Sequence, residues 1–154
     1  MTTHYQTETP EGMNWKEFQQ HMHFTDEELE EFKNHPKKGR YAPIMCLPKI
    51  QKSTLIIEVV KSHGCANGLK VGDRLYFEGC GLLDTKRSSR WCGHAFGHCM
   101  AFSNIAHNLL IHGKDPNSMY YNHFPCGDAG VKHGWGHVVF KAYVVDESEG
   151  EYKG

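Results

Sequence analysis

The sequence has no long apolar run and no strong excess of charge of either sign. None of its hydrophobic stretches approaches the roughly 20 residues that a membrane-spanning helix needs. Its 17 Lys and Arg residues nearly balance 18 Asp and Glu residues, so the charge excess on which nucleic-acid binders depend is missing. Residues 1–15 have neither the cationic start nor the apolar centre of a secretion signal. We therefore expect a cytoplasmic protein with no membrane partner and no nucleic-acid partner.

Several short motifs of well-known enzyme classes are missing as well. The chain contains no GxSxG nucleophile elbow, no HExxH zinc motif, no P-loop and no dinucleotide-binding glycine pattern. It also has no CxxC pair, although such pairs are typical of structural zinc sites and iron–sulfur sites. The function therefore has to be argued from individual residues.

Histidine and cysteine are the residues that the chain has in quantity. It contains 12 histidines and 6 cysteines, and eight of the histidines follow residue 60. In a reducing cytoplasm, cysteines serve as free thiols, metal ligands or catalytic groups rather than in disulfides. The composition thus indicates a chemical site without naming its reaction.

Residues 1–40 predict a tail followed by a helical N-terminal arm. Trp15, Phe18 and Met22 have the spacing of one face of a helix. A capping box that starts at Thr25 predicts the beginning of a second helix. We expect this arm to precede the main domain.

Residues 41–154 predict a single α+β domain. Residues 94–112 have the pattern of one long helix with a broad apolar face. Four segments have the composition or alternation of strands, namely Ser53–Val60, Lys70–Gly79, Tyr120–Phe124 and Val138–Val145. Strands around one long helix predict an α+β fold with a curled antiparallel sheet or a small β-barrel.

Three stretches of this domain carry a resemblance to a known family. They are SHGCANGLKVGD at residues 62–73, a cysteine just before the long helix, and CGDAGVKHGWGHVVF at residues 126–140. They resemble a family of small, functionally unassigned bacterial proteins with a Cys-x-x-Gly-x-Lys-Val-Gly-Asp signature. The N-terminal segment FxxHMxFTDEELEEFKNHP also resembles the helical extension of a longer branch of that family. The resemblance implies a shared fold and matching cysteines at Cys65, Cys92 and Cys126, but it implies no reaction.

Cys65, Cys92 and Cys126 are the leading candidates for metal ligands. Three thiolates and one imidazole, for which His63 is the candidate, complete a tetrahedral zinc or iron centre. Glycines beside these cysteines allow the backbone to approach a bound ion closely. The cysteines are spaced by 27 and 34 residues, which is unlike the common zinc motifs. The alternative that they are small buried core residues therefore stays open.

The densest local cluster of reactive side chains begins at Cys92. This residue lies just outside the predicted helix N-terminus, where the helix dipole favours a thiolate. His94 and His98 lie four residues apart and project from one face of that helix. We therefore predict Cys92 as a catalytic nucleophile with either histidine as its acid–base partner. Gly127 and Gly130, in a glycine-rich loop, are predicted to bind an anionic ligand or cofactor through backbone amides.

These residues support three hypotheses that the sequence leaves open. The first is a small-molecule enzyme or enzyme subunit with a Cys/His site that binds a zinc or iron ion. The second is a non-catalytic ligand-binding or accessory module whose cysteines are core residues. The third is a thiol-based redox protein. In each case we expect a homo-oligomer, because apolar strands of a small domain favour assembly.

Overall fold

A computed structural model describes residues 9–90 and 92–147 of the chain. The chain divides into two units, Met1–Gln51 and Lys52–Gly154. Helices and an antiparallel sheet are both present, so the predicted α+β class is confirmed. Among the described residues, no helix combines the length and the apolar character that crossing a membrane requires.

The N-terminal unit is helical. Its helices are α1 Trp15–Met22, α2 Asp26–Asn34, α3 Lys38–Met45 and α4 Pro48–Gln51. The predicted capping box is confirmed, since Thr25 Oγ1 accepts the Glu28 N–H at 3.2 Å and the Glu28 carboxylate accepts the Thr25 N–H at 2.8 Å. This reciprocal pair satisfies two backbone amides, which explains why α2 begins at this point.

An aromatic cluster forms the core of this unit. The Phe18 ring centroid lies 5.7 Å from that of Trp15 and 6.1 Å from that of Phe24. Trp15 and Phe18 thus form an apolar helix face as predicted. Met22 also lies in α1, but its side chain is 43% exposed and does not belong to this cluster. His23 adopts a left-handed conformation with φ 57°, and this turn lets Phe24 rather than Met22 pack on Phe18.

The sequence patterns do not predict α3 and α4. Pro43 lies inside α3, where a proline removes an amide donor and normally interrupts a helix. Ala42 and Pro43 are both buried, so packing outweighs this local preference. A side chain at Gly39 would collide with the Lys33 carbonyl oxygen at the end of α2. The close approach of α2 and α3 therefore requires glycine at position 39.

The C-terminal unit contains an antiparallel sheet and one long helix. Its elements are β1 Ser53–His63, β2 Arg74–Glu78, β3 Leu82–Leu83, α5 Gly93–Ile111, β4 His123–Pro125 and β5 His137–Asp146. Within the described residues the strand order is β3-β2-β1-β5-β4, with antiparallel neighbours throughout. The sheet ends at β3 and β4 and is open. Of the two predicted shapes, the antiparallel sheet is therefore correct and the closed barrel is wrong.

The core of the C-terminal unit lies between one face of the sheet and α5. Leu55, Ile57 and Val59 alternate onto this face of β1 and are at most 2% exposed. Cys99 and Ala106 of α5 have no exposed surface. Each large aliphatic side chain buried in this way contributes about 1.5–3 kcal/mol to folding. The apolar run of β1 thus anchors α5 on the sheet.

A β-bulge in β1 decides where the last residues of this strand point. The register of β1 with β5 shifts between Val59 and Lys61, and after the shift His63 lies opposite His137. The next residue of β5, Val138, belongs to the core beneath α5. Because successive strand side chains point to opposite faces, His63 and His137 lie on the face of the sheet away from α5.

Candidate functional site

Three segments of the C-terminal unit meet around the first turn of α5. In the turn after β1, the side-chain amide of Asn67 donates a hydrogen bond to Cys92 Sγ at 3.2 Å. In the loop between β4 and β5, the N–H of Gly127 donates to the carbonyl oxygen of His94 at 3.1 Å. Each segment carries one predicted cysteine, and all of these pack on the same core, namely Cys65, Cys92 and Cys126. The structure therefore brings the three cysteines to one end of the unit.

Glycines allow the turn and the loop to approach each other closely. Gly64 has a positive φ of +63°, and a Cβ at this position would lie 2.8 Å from the Trp135 carbonyl oxygen. A side chain at Gly136 would collide with the backbone of His63 and Gly64. Glycine accepts both the left-handed conformation and the contact without a steric penalty. A larger residue at either position would push the turn and the loop apart.

Cys92 is the N-cap residue of α5. Its backbone is extended, with φ −120° and ψ 120°, and its side chain makes no capping hydrogen bond. The residue is 8% exposed. Helix α5 spans 19 residues and, being described in full, has no acidic residue in its first turn. Cys92 thus lies at the positive end of the helix, without a carboxylate in that turn.

Cys65 and Cys126 are half-buried and held by backbone hydrogen bonds. Cys126 Sγ accepts the Val138 N–H at 3.4 Å, and the Cys126 N–H donates to the Val138 carbonyl oxygen at 2.8 Å. The carbonyl oxygen of Cys65 accepts the Gly68 N–H at 3.0 Å, which closes the turn after β1. These bonds hold Cys126 beside β5 and Cys65 in the turn after β1.

The other cysteines are core residues. Burial raises the pKa of the Cys80 thiol and of the Cys99 thiol to about 12, and the neighbouring Cys92 adds to the effect on Cys99. Burial also raises the pKa of the Cys46 thiol in the N-terminal unit. A thiol with a raised pKa stays protonated at neutral pH and is a poor nucleophile. Cys46, Cys80 and Cys99 are therefore not candidates for a reactive thiol.

His94 and His98 stand on the exposed surface of α5, four residues apart as predicted. The ring of His98 stacks on Phe124, with 6.0 Å between ring centroids and 18° between ring planes. His94 is in the first turn of α5, two residues after Cys92. His94 is thus nearer to Cys92 in the sequence than His98 is. Among the described residues, the imidazole of His94 does not stack on another ring.

His63, the fourth predicted metal ligand, stands apart from the cysteines. The bulge in β1 places it on the face of the sheet away from α5, opposite His137. In the parts of the chain that the structure describes, no group of three or more His, Cys, Asp or Glu side chains is placed to hold a metal ion. The zinc or iron centre with Cys65, Cys92, Cys126 and His63 therefore stays a prediction.

The glycine-rich loop binds a carboxylate of its own. The N–H groups of Gly130 and Trp135 both donate to Asp128 Oδ1 at 3.1 Å. Desolvation alone would raise the pKa of Asp128. Backbone hydrogen bonds from Trp135, Gly130 and Gly136, together with the nearby His94, lower it by more, so the pKa lies below its ordinary value. The Gly127 and Gly130 amides predicted to bind a ligand thus have partners within the chain, and ligand binding by them stays a prediction.

A pocket opens beside Cys92, and we call it the Cys92 pocket. Its cavity volume is about 10 Å³, which is room for about one water molecule. Its apolar wall consists of buried side chains, namely Ile57, Val59, Leu69, Leu75, Ala95 and Phe140. Cys92 also lines it, together with a polar rim of Asp73, Arg74, Ser89 and Arg90. Apolar side chains with a thiol and a few polar groups also line small-molecule sites, although this cavity is far smaller than such sites.

The charged groups of the rim differ in their partners. Arg74 Nε is paired with a carboxylate oxygen of Glu58 at 3.0 Å. Asp73 Oδ2 accepts a backbone N–H at 2.8 Å, and its Oδ1 lies 3.5 Å from Ser89 Oγ. Arg90 has no ion pair with any residue in the described part of the chain. Its side chain is exposed.

Asn67 and Arg90 are site residues that the sequence analysis missed. Asn67 precedes a glycine, and an Asn-Gly pair indicates a turn rather than a contact with a sulfur 25 residues away. Arg90 lies in a polar loop two residues before Cys92, where no spacing rule assigns it a role. Only the folded arrangement of β1, β2 and α5 brings these side chains to the pocket.

Comparison of the chain with known protein families, with characterised proteins and with solved structures finds no match. The resemblance to the bacterial family with the Cys-x-x-Gly signature therefore stays a prediction. The function has to be inferred from the geometry around Cys92.

Proposed function

We propose that the C-terminal unit is a small-molecule enzyme, or the binding subunit of one, whose reactive group is the Cys92 thiolate. The observation that supports this most strongly is the combined setting of Cys92. Cys92 occupies the N-cap position of α5, and its sulfur accepts the Asn67 hydrogen bond at 3.2 Å. Cys92 also lines a pocket with an apolar wall. A core cysteine needs none of these features, whereas each of them assists a nucleophile.

A thiolate in this setting acts as a nucleophile. Its sulfur donates an electron pair to an electrophilic carbon of the ligand, an S–C bond forms, and the leaving group departs with the electron pair of the broken bond. The N-terminus of α5 and the Asn67 amide stabilise the negative charge on sulfur before the reaction. His94 donates the proton that the leaving group takes up as it departs.

Alkylation by iodoacetamide tests the role assigned to the sulfur. In this reaction an S–CH₂ bond forms and iodide leaves with the electron pair of the C–I bond. We expect Asn67→Ala to slow alkylation of Cys92 about fivefold, which corresponds to about 1 kcal/mol, the typical net value of one hydrogen bond. Peptide mapping by mass spectrometry measures the rate at each cysteine separately.

The matched control is Asn104→Ala, which removes an exposed asparagine from α5. The Asn104 side chain forms no hydrogen bond among the described residues, and only its carbonyl oxygen accepts one. We expect this variant to leave the Cys92 rate unchanged. An unchanged or faster rate in Asn67→Ala, or an equal loss in both variants, would contradict the proposal.

A zinc or iron ion at the same place is the second candidate. The convergence of Cys65, Cys92 and Cys126 on one end of the unit supports it, because three thiolates and one open position make a catalytic metal site. Elemental analysis of untagged protein purified without oxygen tests it. We expect the serine variants of these three cysteines to lose metal, while Cys46→Ser in the N-terminal unit retains it. Metal-free wild-type protein, or unchanged metal content in all three variants, would exclude this candidate.

The other two predicted functions, a non-catalytic module and a thiol redox protein, would use the same site but would affect ligand and thiol differently. A non-catalytic module would bind its ligand in the Cys92 pocket and release it unchanged. In a thiol redox protein, Cys92 would be oxidised, and a reductant would restore the thiol. A reductant does not reverse alkylation, so the two modifications can be distinguished. Mass spectrometry of Cys92 after exposure to ligand or to peroxide separates the three.

The predicted homo-oligomer is supported by the exposed surface of α5. Phe96, Met100 and Ile105 are 38–44% exposed, and α5 has no charged side chain that would oppose association. Light scattering on the wild-type protein and on Met100→Lys measures the mass. A monomeric wild-type protein would contradict the prediction.

A further inference from the structure

The last residue pair between β1 and β5 consists of two histidines. His63 ends β1, His137 begins β5, and the two lie opposite each other in antiparallel register. Both side chains belong to the face of the sheet away from α5. Residues that lie directly opposite on one face have Cβ atoms about 4.5–5.5 Å apart. Two imidazoles at this spacing can reach one ion, since each nitrogen–metal bond adds about 2.0–2.1 Å.

The β-bulge in β1 brings this pair together. Val59 belongs to the core beneath α5, and regular alternation from Val59 would place position 63 on that same core face. The shift of register between Val59 and Lys61 places His63 opposite His137 instead. Bulges re-aim side chains in this way and are common next to functional sites. The two histidines therefore share a face only because the bulge is present.

The backbone around the pair is held in place. The Ser62 hydroxyl donates a hydrogen bond to the Leu69 carbonyl oxygen at 2.6 Å, which secures the end of β1. A side chain at Gly136 would collide with the carbonyl oxygen of His63, so glycine allows the two chains to approach closely just beside the pair. A ligand pair on two hydrogen-bonded strands is positioned more precisely than a pair on loops.

Both imidazoles are available to an external ligand. Within residues 9–90 and 92–147, no hydrogen bond, ion pair or ring stacking involves the ring of His63 or His137. In contrast, the rings of His35, His112 and His123 each have a hydrogen-bonding partner. His63 is exposed and His137 is half-buried, so an ion can approach both rings from the solvent.

We propose that His63 and His137 together bind one divalent cation of borderline softness, such as Zn²⁺. Each residue supplies one ring nitrogen, and water occupies the other coordination positions. Imidazole suits zinc, copper and nickel, whereas calcium and magnesium prefer oxygen ligands. Among the described residues, no group of three or more His, Cys, Asp or Glu side chains is placed to hold a metal ion, so the ion keeps open positions. The site is separate from Cys92 and does not rest on the proposed function.

A zinc titration followed by the NMR signals of the histidine rings tests the shared ion. We expect the rings of His63 and His137 to shift with one common midpoint. Its zinc concentration should lie about 100-fold below the midpoint of His23, an exposed histidine of the N-terminal unit, because two linked ligands bind far more tightly than one. His63→Gln should raise the midpoint of His137 to that of His23, and His137→Gln should do the same to His63.

Lys61→Gln is the matched control on the same strand. Lys61 is exposed and lies two residues before His63, but it supplies no imidazole. We expect this variant to keep the common midpoint. Different midpoints for His63 and His137 in the wild-type protein, midpoints equal to that of His23, or an unchanged His137 midpoint in His63→Gln would overturn the inference. An equal weakening in Lys61→Gln and His63→Gln would overturn it as well.

Two further measurements separate this site from zinc bound by cysteines. Cys65→Ser and Cys126→Ser should both keep the common midpoint of the two histidines, and its loss in either variant would overturn the inference. Zinc should also raise the urea midpoint of the β1 amide signals in the wild-type protein, because a ligand that binds only the folded pair stabilises it. The rise should be absent in His137→Gln, and an equal rise in both proteins would contradict the site.

Discussion

Replacing Gly64 by alanine perturbs the contact between the turn after β1 and the chain just before β5. Gly64 has a φ of +63°, and a Cβ there would lie 2.8 Å from the Trp135 carbonyl oxygen. Gly68 has a similar φ of +71°, but a Cβ there would meet nothing within 4 Å. The two substitutions therefore share the cost of a left-handed alanine and differ in one steric contact.

The expected magnitudes follow from this difference. A left-handed conformation costs an alanine about 1–2 kcal/mol, so Gly68→Ala should lower the free energy of unfolding by about that amount. Gly64→Ala should lower it by about 2–4 kcal/mol, because a backbone carbonyl is less able to move away than a side chain. Gly64→Ala should also slow the alkylation of Cys92, since the displaced turn carries Asn67.

Urea unfolding, monitored through the amide signals of Leu55 and Ile57, measures the stability of both variants. These residues belong to β1, so their signals report on the C-terminal unit. A shift of the midpoint at unchanged slope gives the change in the free energy of unfolding. Equal losses in Gly64→Ala and Gly68→Ala would refute the close approach of the turn and the glycine-rich loop.

Other predictions concern single interactions. Thr25→Ala removes the capping box of α2 and should destabilise the N-terminal unit by about 1 kcal/mol, measured by hydrogen exchange of the α2 amides; unchanged exchange would contradict the cap. The lowered pKa of Asp128 means that its carboxylate stabilises the fold above the unfolded pKa of about 4 and loses this effect as the pH falls through the lower folded pKa. Urea unfolding should therefore show Asp128→Asn less stable than the wild-type protein at pH 7, with the difference shrinking towards pH 3; a constant difference would contradict the assignment. Cys80 and Cys99, with a pKa of about 12, should resist iodoacetamide at pH 8 until urea unfolds the chain, and rapid labelling in the native state would contradict their burial.

The sequence patterns predict the elements whose signals are local. The β-branched run of β1 and the apolar run of β5 both form strands, and residues 94–112 match α5 to within one residue at each end. The capping box at Thr25 also forms, because it depends on residues only three positions apart. In each case the local preference and the tertiary packing favour the same conformation.

The features that sequence patterns do not predict depend on contacts between distant residues. Helix α3 forms although it contains Pro43, because packing buries that residue. The bulge after Val59 reverses the face to which His63 belongs, and the alternation pattern of β1 contains no sign of it. The contact of Asn67 with Cys92 joins residues 25 positions apart. The cysteines could therefore be predicted as candidates, but their partners and the pocket could not.

The rate of iodoacetamide alkylation at Cys92, measured in the native chain and in the urea-unfolded chain at the same pH, tests the central claim most directly. The proposed function makes Cys92 the reactive thiol, so we predict a faster reaction at Cys92 in the native chain. The buried thiols of Cys80 and Cys99 serve as internal references and should react more slowly in the native chain. A slower reaction of native Cys92, like that of the two buried references, would contradict the claim and make Cys92 a core residue.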